Sequence, residues 1–372
     1  MSITLFAYDP TLTVAGLGGT FTRADASTCA TYVDSNGVVQ TVAANVLRNS
    51  HYVNGVRTTL LEGSRQNPLL QSCDHSNAAW TKTRMTVTTG IADPAGGTSA
   101  CTLTSTSGSG GNSWSIQNIG IGSSLVRTSS IWIRRRTGTG LIRLWAPDNA
   151  TFSNLTVTSS WQKFQIANGA ASTARTLEVD VLTENDAIDV WGAQIEDGAF
   201  ASSTIVTGAA AVTRAADALS FPFLPVPQAM TVYADFYDLG TYATSNGGIG
   251  SVGGTTGASL QFYSNGSGIY NTFHSNGSTS VTKATGAAAT FGDRVELRFP
   301  IQSDGSVLIG QSLNSGTETV STTSAANTFA SAWNATTVFV GQMSAGGFTG
   351  FAAFRSLKIA SGVQSLATMR TL

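Results

Sequence analysis

The chain has 372 residues, which exceeds one ordinary domain and suits two. Only 11% of the residues are charged, against about 25% in an average globular protein, and Ser, Thr, Gly and Asn replace the missing charge. Because exposed helix faces usually carry Glu, Lys and Arg, this composition argues against a helical protein. A formal net charge of −1 gives no overall field to attract nucleic acid or an anionic membrane, so neither is expected as a partner.

The cysteines and the N-terminus indicate the compartment. Cys29, Cys73 and Cys101 are an odd number without CxxC spacing, so we expect no disulfide framework and no zinc site, but small core residues in a reducing cytoplasm. Met1 to Pro10 lacks the basic start and apolar run of a signal peptide, and no stretch has the roughly 18 apolar residues that span a membrane. Neither export by the usual route nor membrane insertion is expected.

Residues 1–66 contain strand signals separated by turns. Apolar runs flank Asn36-Gly37, a dipeptide that accepts positive φ at both turn positions, and this predicts a hairpin. A second turn is predicted at Asn54-Gly55. These hairpins are too few to bury a core, so we interpret residues 1–66 as a docking or oligomerisation segment, with a homotrimer as the expected assembly.

Residues 67–220 contain six of the seven tryptophans, which predicts a Trp-rich β-sandwich with all these indole rings in a single core. The runs have strand length and are cut by turn residues at sandwich spacing. The segments are Ser113 to Ile119, Ser129 to Ile133, Leu141 to Trp145, Trp161 to Ile166, Leu177 to Leu182 and Ala187 to Trp191.

Residues 221–372 are predicted to form a second sandwich. Three prolines between Phe221 and Pro227 exclude helix and central strand, and they mark the domain boundary. Beyond them the alternating pattern continues through strands interrupted by Gly-containing turns, up to a strand-like stretch at Gly347 to Ile359. Val363 to Leu372 is expected to form a short helix. The fold class is therefore all-β, with an N-terminal hairpin segment and two antiparallel sandwiches.

Two groups of residues have the composition of a sugar-binding platform, in which a ring stacks on the apolar face of a sugar and amides or carboxylates bind its hydroxyls. The first is Trp145 with Asp148 and Asn149. The second surrounds the turn at Asn265, between Tyr263 and Tyr270. The alternative for both is a core ring beside an ordinary polar turn.

Acidic residues suggest two further sites. Glu184, Asp186 and Asp189 are candidate ligands of a structural calcium ion, although no dense loop of alternating oxygens is present. Glu178 and Asp180 share one strand face, as a glycoside-cleaving carboxylate pair would, but such residues are usually only solvated. The three histidines are expected on the surface and no Gly-x-Ser-x-Gly elbow occurs, so we expect no catalytic centre and no organic cofactor.

Several short motifs resemble a recurrent arrangement in head-spike and tail-fibre virion proteins of tailed bacteriophages. They are Phe21-Thr22-Arg23-Ala24, Tyr32 to Gly37, Leu60-Leu61-Glu62-Gly63 to Asn67, Ser76 to Lys82, Val190 to Glu196 with Gly198 and Phe200, and Val212 to Asp217. Asn67-Pro68 and Cys73 depart from that arrangement.

This resemblance implies a carbohydrate-binding-module-like jelly roll, with a laminin-G or concanavalin-like sandwich after Pro227. It also implies a structural protein on the virion surface, made in the host bacterial cytoplasm and bound to capsid or tail proteins. A head fibre or capsid spike with weak glycan adhesion is the leading hypothesis. The alternatives are a tail-fibre adhesin that recognises a bacterial surface glycan, and a depolymerase.

Overall fold

The structure is a computed structural model that describes residues 4–25, 29–106, 112–223, 229–240, 247–253, 258–265, 267–327, 337–342 and 350–372. Nearly all of its regular structure is β-strand in antiparallel sheets, which confirms the all-β prediction. Within the described ranges, no helix is long and apolar enough to cross a membrane.

The regular elements are as follows in chain order. Residues up to 66 contribute β1 (Thr4–Tyr8), a 3-10 turn (Ala15–Leu17), β2 (Thr20–Thr22), β3 (Ala30–Val33), β4 (Val39–Val42), β5 (Arg48–Val53), β6 (Val56–Leu61) and the start of β7 (Arg65–Asn67). Next come β8 (Thr81–Thr83), β9 (Met85–Ile91), β10 (Ala100–Ser105), β11 (Ser113–Leu125), β12 (Arg127–Thr137), β13 (Ile142–Trp145), β14 (Phe152–Leu155), β15 (Gln162–Ala167), β16 (Ser172–Val181), β17 (Ala187–Asp197), β18 (Val212–Arg214) and β19 (Ala218–Pro222). The remainder are β20 (Met230–Asp238), β21 (Gly247–Val252), β22 (Ala258–Ser264), β23 (Tyr270–Asn276), β24 (Ser280–Ala284), β25 (Arg294–Ile301), β26 (Gly310–Leu313), β27 (Thr319–Val320), β28 (Thr337–Val340), β29 (Ala352–Ser361) and α1 (Leu366–Thr371).

The chain divides into two units, each built from separated segments. Unit 1 comprises residues 1–24, 44–63 and 215–372, and unit 2 comprises residues 25–43 and 64–214. The predicted hairpin segment 1–66 is therefore not a body of its own. Its strands complete sheets made by later residues: β1 and β6 both pair with β29, and β2 pairs with β19. The prediction of a trimer rests on residues 1–66 being unable to bury their own apolar side chains. Since later strands cover them, that argument no longer applies, and the trimer stays a prediction.

Unit 1 is a sandwich of two large sheets. One has the order β27-β26-β25-β20-β29-β6-β5 with β1 on β29, and the other has the order β2-β19-β28-β21-β22-β23-β24. Alternation along β20 places Val232, Ala234 and Phe236 in the core and directs Tyr233 and Asp235 to the opposite side. Phe262 and Phe299 stack at 4.1 Å between centroids in this core.

A buried ion network joins the three segments of unit 1. The Arg48 guanidinium binds the carboxylates of both Glu62 and Asp217, and Arg23 lies 3.3 Å from Asp217. All four side chains are 2% exposed or less. The backbone N–H of Glu62 also donates to Asp217, at 2.8 Å. Two guanidinium groups balance two carboxylates. Charged side chains can be buried in a core only when they are paired in this way.

Unit 2 has two five-stranded sheets, β15-β12-β17-β10-β9 and β14-β13-β16-β11-β8. The hairpin β3-β4, with its turn at the predicted Asn36-Gly37, and the pair β7-β18 add to this unit. Among the tryptophans that the structure describes, only Trp80 lies in the cluster between the two sheets. Trp132 and Trp191 pack instead with Val39 of the hairpin in a second cluster, and Trp114 and Trp145 are half-buried. The prediction that all these indole rings share a single core is therefore wrong.

Other predictions have mixed outcomes. The C-terminal helix is confirmed as α1, and all three cysteines are buried free thiols. The last predicted strand is present as β29, whereas residues 347–349 of that prediction lie outside the described residues, as do residues 224–228 of the proline-rich boundary.

We expect Asp217→Asn to lower the free energy of unfolding by about 3–5 kcal/mol, because it leaves a buried guanidinium without its full counter-charge. Asp304→Asn is the matched control: the same chemical change in an exposed turn of unit 1, where the side chain accepts from Ser306. Its effect on the free energy of unfolding should be much smaller, because surface substitutions of this kind change stability little. Differential scanning calorimetry of the full chain measures both, and equal effects would show that the network contributes no more than a turn.

Candidate functional site

The sheet β14-β13-β16-β11-β8 of unit 2 has one apolar side and one mixed side. Leu144, Leu177 and Val179 point into the core, so their sequence neighbours point outward. Directly opposed residues of antiparallel strands lie on the same side of a sheet. The register therefore assembles an outer face from Trp114, Ile116, Arg143, Trp145, Phe152, Glu178 and Asp180.

Aromatic rings and an arginine occupy one end of the outer face. Trp145 and Phe152 lie opposite each other, with ring centroids 4.8 Å apart, and Phe152 is 41% exposed. The Arg143 guanidinium carbon is 4.3 Å from the Phe152 ring centroid, within cation–π range. Arg143 has no hydrogen-bond partner for its Nε among the described residues. That Nε atom is buried, so the exposed part of the Phe152 ring is the surface that is available to a ligand.

A carboxyl pair lies beside these rings. Asp180 is opposite both Arg143 and Trp114, and its Oδ2 accepts a hydrogen bond from the Trp145 indole N–H at 2.9 Å. Burial raises the pKa of Glu178 to about 7, and the hydrogen bond to Asp180 and the charge of Asp180 add to this effect. Burial also raises the pKa of Asp180. The pair therefore retains a proton more readily than two ordinary carboxyl groups, and that proton lies in the hydrogen bond between them.

The predicted group Trp145, Asp148 and Asn149 lies together at the edge of the outer face. The turn from Ala146 to Thr151 joins β13 to β14, and Asn149 has a φ of 54°. Asp148 Oδ1 accepts from the Ala150 N–H at 3.0 Å, which uses one of its oxygens to hold the turn. The Pro147 carbonyl accepts from Thr176 and fixes the turn to β16. The turn thus positions Trp145 and Phe152 against each other.

Sequence reasoning did not identify Trp114, Arg143 and Phe152 as members of this site. The alternation Ile142-Arg143-Leu144-Trp145 was sufficient to place Arg143 beside Trp145 on an outward face. In contrast, the pairing of β11 with β16 that brings in Trp114 is a long-range feature without a local signal.

The second predicted platform, Tyr263, Asn265 and Tyr270, is not assembled. Tyr270 is opposite Ser264, so Tyr263 and Tyr270 point to opposite sides of their sheet. Tyr270 is fully buried, and its hydroxyl donates to Asp238 in the core of unit 1. The Asn265 side chain accepts from the backbone of Ser267 and Ile269 and closes the turn. Tyr270 therefore cannot stack on a sugar.

The predicted calcium ligands have arginine partners instead. Asp189 binds Arg134 at 2.7 Å and Arg136 at 2.6 Å, and Asp186 lies 3.3 Å from Arg135. Glu184 does not join them in a cluster: among the described residues, no group of three or more His, Cys, Asp and Glu side chains could hold a metal ion. The run Arg134-Arg135-Arg136 neutralises the carboxylates that the sequence suggested for calcium.

Two histidines are buried, which corrects the expectation that all three lie on the surface. His75 stacks on Trp80 at 3.8 Å, and its Nδ1 is 3.0 Å from the Ser115 hydroxyl. Burial lowers the pKa of His75 to about 3, although the charge of Asp74 raises it. This serine–histidine contact lies within the sandwich core, where the exposed fraction of His75 is 0%.

Comparisons with known proteins return no matching family model and no matching curated sequence. Among solved structures, the Ruminococcus gnavus IT-sialidase CBM40 bound to α2,3-sialyllactose is similar, with 12% identity, a TM-score of 0.32, and coverage of 38% of this chain and 80% of that one. Mouse laminin α1 domains LG4-5 have 11% identity and a TM-score of 0.24 over 82% of this chain and 90% of that one. A carbohydrate esterase of the Shiga toxin-encoding bacteriophage phi24B has 10% identity and a TM-score of 0.19 over 80% and 97%. These scores are too low to assign a ligand or an activity.

We expect Glu178→Gln to remove a pH dependence of stability. The folded-state pKa of Glu178, about 7, lies above its ordinary value of 4.5, so the folded chain holds the proton more tightly than the unfolded chain. The proton on Glu178 therefore stabilises the folded state. This stabilisation is complete below about pH 4.5 and is lost as the pH rises towards 7. Between these limits the native protein should lose stability relative to the variant, measured by thermal unfolding at each pH. Parallel curves would disprove the raised pKa.

Proposed function

We propose that the outer face binds a glycan. One observation supports this proposal. Partly exposed rings alternate with hydrogen-bonding groups on one outward side of a sheet. Trp145 and Phe152 supply the rings, and Arg143 and the Glu178–Asp180 pair supply the polar groups.

The chemistry of this face matches that of a sugar. A sugar ring has apolar C–H patches that stack on aromatic faces and hydroxyl groups that both donate and accept hydrogen bonds. Arg143 only donates, whereas the carboxyl oxygens of the half-buried Glu178 accept. The face therefore supplies both kinds of group within one small area. Binding without bond cleavage is the proposed activity.

The second part of the proposal concerns the role of this chain in a bacteriophage particle. The motifs between residues 20 and 220 that resemble phage spike and fibre proteins support a structural virion protein, a head fibre or capsid spike attached to capsid proteins. A tail-fibre adhesin for host surface polysaccharide is the alternative, and the outer face favours glycan contact in either place.

We expect Trp145→Ala to weaken glycan binding by about tenfold or more, since about 1.4 kcal/mol of lost contact corresponds to a factor of ten in Kd. The variant removes both the stacking ring and the N–H that orients Asp180. A glycan array with the full chain identifies the ligand, and calorimetry then compares the variants. Trp145→Phe, which keeps a ring but loses the N–H, should fall between the native chain and the alanine variant.

Trp161→Ala is the matched control. Trp161 is a half-buried indole of the same unit that contacts Arg134 at 4.7 Å and is not part of the outer face. Its loss should leave the affinity unchanged. The proposal is wrong if no glycan binds, or if both alanine variants weaken binding equally. Release of reducing ends from host polysaccharide would instead support a depolymerase.

We expect antibodies raised against the purified chain to label the head of the intact phage particle in electron micrographs. Labelling of the tail would support the adhesin. If mass spectrometry finds no peptide of this chain in purified particles, the virion role is wrong, whereas the glycan proposal is tested separately by the array.

A further inference from the structure

Unit 1 has a cleft on the outward side of its eight-stranded sheet. The cleft has a volume of about 590 Å³. The cleft is lined by Tyr233 and Asp235 of β20 and by Arg355 and Lys358 of β29, and the turn after β1, β6 and β25 contribute further residues. We name this feature the basic cleft; its charged lining residues are Asp9, Arg57, Asp235, Arg294, Arg355, Lys358 and Arg370.

The cleft has more positive than negative charge. Five basic and two acidic side chains line it. Asp235 is shared, since Arg294 donates to both of its oxygens, at 3.0 and 2.9 Å, and Arg355 donates to one at 2.9 Å. The neighbouring Glu296 is shared in the same way by Arg294 and Arg370. Asp235 and Glu296 are therefore each shared by two arginines, so the cleft keeps a net positive charge.

In the part of the chain that the structure describes, backbone carbonyls, and not a carboxylate, bind the ammonium group of Lys358. Its ammonium group donates to the backbone carbonyls of Met369 at 3.1 Å and Arg370 at 3.5 Å, and it has no carboxylate partner among the described residues. Burial lowers the pKa of Lys358, although the charges of Asp235 and Asp9 raise it. Arg355 directs only one of its three nitrogens to a protein acceptor among these residues. Both side chains retain donors for an incoming anion.

We propose that the basic cleft binds a sugar residue that carries an oxyanion, either a carboxylate or a phosphate. Arg355 and Lys358 bind the anionic group, and Asp235 holds Arg355 in position. The volume falls within the range of about 300–1,000 Å³ that small-molecule sites occupy. A nucleic acid needs an extended basic track and usually a basic protein, whereas this cleft is bounded and the chain has a net charge of −1.

This site belongs to unit 1 and is independent of the outer face of unit 2, so the two proposals can fail separately. The test titrates the full chain with glucuronic acid, glucose 6-phosphate, uncharged glucose and inorganic phosphate, and it monitors binding by calorimetry. We expect saturable binding of at least one charged sugar, no binding of glucose, and weaker binding of inorganic phosphate than of glucose 6-phosphate. The two charged probes distinguish a carboxylate ligand from a phosphate ligand.

Arg355→Gln and Lys358→Gln should each weaken binding of the charged sugar by about tenfold, because each removes a charge-assisted donor. Arg355→Gln leaves Asp235 paired with Arg294, so it preserves the fold even if Lys358→Gln disturbs α1; circular dichroism checks both variants. Lys283→Gln removes the same charge from β24 of unit 1, where the amine contacts Thr322, and should change nothing.

Four outcomes would overturn the proposal. These are no binding of either charged sugar, equal binding of glucose, inorganic phosphate binding as tightly as glucose 6-phosphate, and an equal loss in Lys283→Gln. Binding of a single-stranded oligonucleotide in the absence of sugar binding would also overturn it and would assign the cleft to nucleic acid.

Discussion

The fold of unit 1 depends on the buried ion network of Arg23, Arg48, Glu62 and Asp217. These residues are far apart in sequence, and each removes a charge from water at a cost that only its partners offset. A partly formed network would leave an unpaired buried charge, so the network favours the arrangement in which all three segments are present. The network therefore specifies which segments combine, a task that the non-directional hydrophobic effect cannot perform.

The motifs behind the resemblance to phage spike and fibre proteins serve this structural purpose. Arg23, Glu62 and Asp217 come from three of those motifs, and all three lie in the network. Glu196, from a fourth motif, accepts from the Ser202 backbone N–H inside unit 2. These residues maintain an architecture, so they give no information about a ligand. The two proposed ligand sites, the outer face and the basic cleft, are built from other residues.

Strands, turns and the hairpin at Asn36-Gly37 could be predicted because each is a local pattern of alternation or turn chemistry. The remainder depends on long-range pairing. The period-two pattern of β6 gives no indication that its partner is β29, and nothing near Asp186 and Asp189 shows that arginines 50 residues earlier neutralise them. Tyr263 and Tyr270 also could not be placed from local sequence. They lie on opposite sides of their sheet because of the register across their turn, which their composition does not reveal.

The division of unit 1 into separated segments has a consequence for synthesis on the ribosome. Unit 2 is complete once Arg214 has emerged, whereas β1 and β6 find their partner strand only when β29, near the C-terminus, is made. Domains fold as units during translation, earlier ones first, so the inserted unit matures before the unit that encloses it in sequence. The early strands meanwhile have open edges that can pair with other chains. Slow elongation after residue 214 would lengthen this exposure, and a holding chaperone would have its greatest effect in that interval.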